Sequence, residues 1–230
     1  MKKEISNLEK QINVKFKNQD ILKQALVHRS YINEHSSFEL GHNERMEFLG
    51  DAVLELVVTK YLYENYDNPE GDLTNWRAAL VNGKNLAECA REINLEDYLY
   101  LSKGETKDTN EKARNYILAN AMEALIGAIY LDQKWDSAKE FITKNIICRL
   151  PEILKNKLYI DSKSHFQEKA QDKTGITPSY QVLSESGPDH NKKFVIGVYL
   201  EDELVAKGNG TSKQEAQMNA AENGLKEKEW

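Results

Sequence analysis

Three carboxylates, Glu44, Glu47 and Asp51, stand at spacings of three and four in the stretch Asn43–Tyr63, NERMEFLGDAVLELVVTKYLY. On a helix turning about 100° per residue, their side chains emerge within a sector of ~60° on one face. Like charges on one stripe repel, and a helix gains nothing by placing them over an apolar segment unless a cation or a proton resolves the repulsion. That pattern suits oxygen ligation of a hard divalent metal. The helix dipole, which favours acidic residues in a first turn, accounts for Glu44 and in part for Glu47, but poorly for Asp51. Glu55 lies one further turn along. A second polar pair, Asn120 and Glu123, interrupts the otherwise apolar ILANAMEALIGAIYLD, and at three residues apart the two share a face. Both helices carry large apolar surfaces and must be neighbours to bury them. Glu44, Glu47, Asp51 and Glu123 can then meet across one acidic pocket, with enough oxygen to hold Mg2+ while waters complete its octahedron. Metal chemistry there would activate a water against a phosphodiester and neutralise the leaving oxygen. The substrate class is a phosphate ester, because a bound cation reverses the repulsion that carboxylates alone would exert on a polyanion.

The elements that must position these groups are helical as far as Pro151. Residues 4–30 read as two short helices, and Ser30–His42 as a connection ending in a glycine. The organising helix presents Met46, Phe48, Leu49, Ala52, Val53, Leu56, Val57 and Leu62 around much of its circumference. Asn65–Gly71 is a turn containing Pro69, and the next helix covers about 72–91 with Gly83 as a point of interruption. A hydrophilic stretch, KGETKDTNEKARN, precedes a helix over about 111–132, and a further helix ends at a break at Pro151. Beyond it the order becomes helix, strand, strand, strand, helix. HFQEKAQDK is the first helix; SYQVLSESG, KKFVIGVYL and ELVAKGNG are the strands; and Ser212 with Glu215 forms a capping box for the last helix. Two helices packed on one face of a three-stranded antiparallel sheet make a compact α+β module.

Composition narrows the class. Forty per cent apolar and 30% charged residues are ordinary for a soluble protein. The opening MKKEISNLEKQINVKF lacks an apolar signal region, and no run of apolar residues is long enough to span a bilayer, so a cytoplasmic protein is expected. Cys89 and Cys148 read as reduced core residues. A net charge of −6 argues against a protein that coats nucleic acid non-specifically, but leaves room for local basic faces.

HNERMEFLGDAVLELVVTKYLY resembles the signature motif of the ribonuclease III family of double-stranded RNA endonucleases. PEGDLTNWRAALVNGKNLA and ILANAMEALIGAIYLD resemble its next two motifs, and the module after Pro151 resembles the family's double-stranded RNA-binding domain. The resemblance implies an all-α ribonuclease III endonuclease domain over 1–153, a linker over 154–160 and a small α-β-β-β-α RNA-binding domain over 161–229. It implies a Mg2+-dependent endonuclease, with Mn2+ as a possible substitute, acting on rRNA and mRNA precursors. The products would carry 5′-phosphate and 3′-hydroxyl ends with short 3′ overhangs. The family's metal falls on Glu47, Asp51 and Glu123, with Glu44 in support. It also implies a homodimer through the catalytic domain, for which Phe48, Val53, Leu54, Val57 and Val58 are candidate apolar surface, although a core role explains them equally well. The chain departs from the pattern at Asn120, where the family has Asp. An amide oxygen still ligates Mg2+ but brings no negative charge. The alternative is therefore a duplex-RNA-binding protein whose nuclease domain is weakened or silenced.

For the second domain, the resemblance places Gln167 and Glu168 of the first helix at a minor groove and His190 in the loop between the first two strands at another. Lys213 stands in the first turn of the last helix, where free N–H groups favour a phosphate. The family commonly has paired basic residues there, whereas this chain has Lys213 followed by Gln214 and Gln217. With nine Lys and no Arg against twelve acidic residues over 161–230, duplex binding should be modest and strongly salt-dependent.

Overall fold

The computed structural model describes residues 4–188 and 192–230, which divide into two compact units, Met1–Tyr159 and Ile160–Trp230. The first unit is an assembly of helices: α1 (Ile5–Ile12), α2 (Gln19–Ala25), α3 (Arg29–Glu34), α4 (Glu44–Asn65), α5 (Glu70–Val81), α6 (Gly83–Glu92), α7 (Lys103–Lys107), α8 (Glu111–Asn145) and α9 (Leu150–Lys155). Its axis is α8, whose segment from Ile117 to Ile129 is buried on nearly every side, with only Asn120 and Glu123 half-buried. Against it lies α4, which buries Met46, Gly50, Val53, Leu54, Val57, Val58 and Leu62, a set at intervals of three and four that forms a single helical face. Val53, Leu54, Val57 and Val58 are thus core residues and leave the candidate dimer surface. Phe48 alone of that set remains outside, 80% exposed, with Leu56 beside it at 57%.

Five sequence expectations change in detail. The connection after Ser30 contains the short helix α3, and the hydrophilic stretch before α8 contains α7. The expected 72–91 helix is two helices, because Asn82 leaves helical geometry (ψ 153°) and its side chain caps α6 by accepting from the Asn85 N–H. Pro151 opens α9 instead of ending a helix, since a proline in a first turn has no N–H to lose from the ladder. Cys89 is buried as expected, but Cys148 is exposed.

The second unit runs α10 (Ser162–Thr174), β1 (Ser179–Ser186), β2 (Lys193–Leu200), β3 (Glu203–Gly210) and α11 (Lys213–Glu227). The strands form one antiparallel sheet in the order β1-β2-β3. Gly175 ends α10 at φ 73°, a left-handed position that suits glycine. The core joins Phe166 and Ala170 of α10 to Val198, Leu200 and Val205 of the sheet and to Ala220 and Ala221 of α11. Cover is uneven: α11 lies on β2 and β3, while β1 is exposed along nearly its whole length. Gly208 permits that approach, because a Cβ there would overlap the backbone of Ala216 and Ala220. Ser212 caps α11 by accepting from Glu215 N–H (3.1 Å), and the Glu215 carboxylate accepts in return from the N–H of Thr211 (2.8 Å).

Candidate functional site

The acidic stripe is aimed by what holds the start of α4. Asn43 is 3% exposed. Its N–H donates to the Val27 carbonyl (2.9 Å), its side-chain amide donates to the Ala25 carbonyl (3.2 Å), and its own carbonyl accepts from Met46 and Glu47 N–H. The first turn of α4, which carries Glu44 and Glu47, is therefore tied to the end of α2.

The second control is a crossing of α4 over α8 at two glycines. A Cβ built on Gly50 would overlap the carbonyl oxygen of Glu123, and one built on Gly127 would overlap that of Met46. The helix backbones thus touch where no side chain intervenes. Asp51 adjoins Gly50, Glu47 stands one turn before it, and Glu123 stands one turn before Gly127, so the three carboxylates are carried by the residues that flank the crossing. Two of them, Glu123 and Glu47, feel the charges of the others. Burial, then the charges of Asp51 and Glu47, push the Glu123 carboxyl up to about 7. Burial, then Glu44 and Asp51, also raise Glu47 above the usual carboxylate value.

Glu44 occupies the outer, exposed end of the stripe, facing Arg29 (Nη1 to Oε1, 3.3 Å) and His42 (Nδ1 to Oε2, 3.7 Å). Sequence reasoning did not assign these two basic groups, nor Asn43. The only local signal was that His42 and Asn43 directly precede Glu44, and nothing short of the fold brings Arg29 there. Glu55 is separate from the stripe, since Arg77 of α5 holds its carboxylate at 3.0 Å. Asn120 lies on α8 one turn before Glu123 and half-buried, and among the described residues its side chain makes no hydrogen bond.

Among the described residues no three His, Cys, Asp or Glu side chains are already gathered at metal-ligating range. The donor set is nevertheless all oxygen, spread over two helices in backbone contact, with burial and then mutual repulsion raising Glu47 and Glu123. Those properties fit a hard cation that retains several of its waters rather than a closed protein cage.

In the second unit, Gln167 and Glu168 are exposed on α10, and Lys213 is exposed in the first turn of α11 with its ammonium 5.8 Å from the Phe194 ring centroid. Gln167 and Gln214 line one cleft of about 550 Å3, together with Asp161, Lys163, Ser164, Tyr180 and Met218. His190 lies outside the described residues. Among the described residues, no helix is long and apolar enough to cross a membrane.

Comparison with known proteins bears on both units. Residues 18–150 match the family model described as ribonuclease-III-like, and residues 162–228 match the double-stranded RNA binding motif. Ribonuclease 3 of Dehalococcoides mccartyi strain 195 is 42% identical over 226 residues, 97% of this chain and 94% of that protein. Ribonuclease 3 of Oceanobacillus iheyensis is 41% identical, over 96% of this chain and 97% of that protein. The solved nuclease domain of ribonuclease III from Campylobacter jejuni, described for structural flexibility in a region involved in dimer formation, superposes with a TM-score of 0.54 at 40% identity. That superposition covers 62% of this chain and 98% of the solved one. Similarity that runs the length of both units, over a helical domain followed by an α-β-β-β-α module, places this chain in the ribonuclease III family.

Proposed function

We propose that this chain is a divalent-metal-dependent endonuclease of double-stranded RNA, serving rRNA and mRNA precursor processing in the cytoplasm and leaving 5′-phosphate and 3′-hydroxyl ends. The observation that carries the reading is the α4–α8 crossing at Gly50 and Gly127, which sets Glu47, Asp51 and Glu123 from two helices in one field. These three would hold Mg2+ or Mn2+, with Asn120 lending an amide oxygen and Glu44 flanking. When bound, the ion supplies a Lewis acid for the phosphodiester and a water of lowered pKa. The chain's own groups do the positioning. Half-burial of Glu123 limits the water that competes with phosphate, while the buried Asn43 fixes the direction of Glu44 and Glu47. At the rim, Arg29 brings a positive charge to the exposed Glu44, where a phosphate oxygen can share it.

Phe48, Ala52 and Leu56 recur every four residues on the exposed side of α4, and two large apolar side chains left in water on one stripe suit a second copy of the chain. Homodimerisation there would set two such sites against one duplex.

The test is incubation of the purified protein with a perfect RNA duplex, with and without Mg2+, followed by analysis of the product ends. Metal-dependent cuts with 5′-phosphates are expected. Retention of duplex without cleavage in either Mg2+ or Mn2+ would favour the second reading, a binder with a silenced nuclease, which Asn120 motivates. Asn120→Asp bears on that choice: it should lower the Mg2+ concentration needed for half-maximal cleavage. An unchanged requirement and rate would place residue 120 outside the coordination shell.

A further inference from the structure

The first turn of α11 offers the duplex one lysine, Lys213, and the positions that follow it are Gln214 and Gln217. A polyanion is held by the number of its phosphates that are neutralised, so a second cation has to come from elsewhere in the unit. Lys163, in the first turn of α10, reaches across to α11. Its ammonium donates to the Gln217 Oε1 at 2.8 Å and stands 5.0 Å from the centroid of the Tyr180 ring. Gln217 is four residues after Lys213 and lies on the same face of α11. The hydrogen bond therefore delivers the α10 ammonium to the face that already carries Lys213.

The charge on Lys163 is felt by Asp161 but is not closed into an ion pair with it. Lys192, Lys226 and Lys228 are paired with Glu185, Glu222 and Glu203 at 2.7–2.9 Å. Among the described residues, Lys163 has no ion pair within 4 Å. Asp161 is the acidic group near it, and that carboxylate is already engaged in capping α10, accepting from the N–H groups of Lys163 and Ser164 and from the Ser164 hydroxyl. An ammonium has three donors, and one of them is directed to Gln217. The side chain also lines the cleft that Gln167 and Gln214 share, so the position already expected to meet a minor groove is next to it.

We infer that Lys163 is the second phosphate-binding cation of this unit, held at the face of α11 by Gln217 and the Tyr180 ring in place of a second basic residue on α11 itself. The inference rests on the duplex-binding reading of the unit.

The test uses the full chain without divalent metal, so that RNA is bound but not cut, and a perfect duplex of about 30 base pairs, long enough for a module spanning about 16. Affinity is measured against KCl concentration. Lys163→Met keeps the aliphatic stem and should flatten the slope of log K against log salt by about 0.9, the loss of one phosphate contact. Lys163→Arg should retain the slope, and Lys163→Met with Lys213→Met should flatten it by about 1.8. Lys226→Met, whose charge is paired with Glu222, should leave it unchanged. A stability change alone does not move a salt slope, so a loosened fold is separable from a lost contact. A Lys163→Met slope equal to that of the unaltered protein overturns the inference while leaving duplex binding in place. An unaltered protein that fails to retain duplex at low salt overturns the duplex-binding reading, and the inference with it.

Discussion

Glu123→Gln should stabilise the metal-free protein while removing cleavage. The carboxyl moves from the usual 4.5 to about 7 because it is buried and faces Asp51 and Glu47. Above pH 7 the ionised form is then disfavoured by up to about 3 kcal/mol, at about 1.4 kcal/mol per pH unit. Glu123 is only half-buried, so screening by solvent reduces this to about 1–2 kcal/mol. The sign follows from proton uptake. With its folded value raised, Glu123 leaves stability intact below pH 4.5, and stability is lost as pH rises through about 7. Glutamine keeps the shape, carries no charge and removes that loss. Unfolding in EDTA at pH 8 should therefore show a gain of about 1–2 kcal/mol, or roughly 3–6 °C for a unit of this size, and the gain should fade toward pH 5. Hydrogen exchange along α4 and α8 confines the measurement to the relevant unit. Cleavage in Mg2+ should fall by at least about 100-fold, the scale on which losing a transition-state electrostatic group acts. A variant that is less stable at pH 8, or equally displaced at pH 5 and pH 8, would refute the claim that the three carboxylates share one field.

Gly50→Ala should cost about 3 kcal/mol or more and abolish activity, because its Cβ overlaps backbone that cannot turn aside; a variant of unchanged stability would mean the helices do not touch. Asp132 is held below the usual carboxylate range although burial pushes it upward, since Lys17 N–H (2.8 Å), Asn18 N–H (3.0 Å) and the Gln133 side chain all donate to it. Asp132→Asn should cost about 2–3 kcal/mol at pH 7, and urea unfolding should show the deficit shrinking as pH falls below 3.8, where the wild type loses the same contribution. Phe48→Arg should leave the fold intact, because its side chain is already 80% exposed, yet shift sedimentation toward monomer; persistence of the dimer would exclude this face.

What was legible in the sequence followed from periodicity. Glu44, Glu47 and Asp51 share a face by spacing alone, and so do Asn120 and Glu123, because a helix repeats every 3.6 residues whatever surrounds it. The three strands and the Ser212–Glu215 cap were legible for the same reason, being local. What escaped depends on partners remote in the chain. Val53, Leu54, Val57 and Val58 could equally have faced a core or a second subunit, and only the position of α8 decides it. Arg29, at the start of α3, is fifteen residues from Glu44, and Lys163 is 54 residues from Gln217. Within a helical pattern, Gly50 and Gly127 read as weak positions that cost stability relative to alanine. Their use appears only once two backbones are seen to require the missing Cβ.

The crossing also explains why a repulsive site persists in a folded chain. Three carboxylates brought together without a cation oppose the packing of the helices that carry them, so the opposition has to be met by surface that contains no charge. That surface is the apolar core to which both helices contribute, Met46, Val53, Leu54, Val57 and Val58 from α4 and Met122, Leu125, Ile126 and Ile129 from α8. Each fully buried aliphatic side chain contributes about 1.5–3 kcal/mol, so several together outweigh the penalty at Glu123. Two substitutions on either side of the crossing therefore separate chemistry from packing. Glu123→Gln and Gly50→Ala should both silence cleavage, but the first relieves the helix pair and the second breaks it. A folding defect in both would mean that Glu123 is held by contacts it needs for the fold, and the acidic cluster would then be structural rather than a site built at the expense of stability.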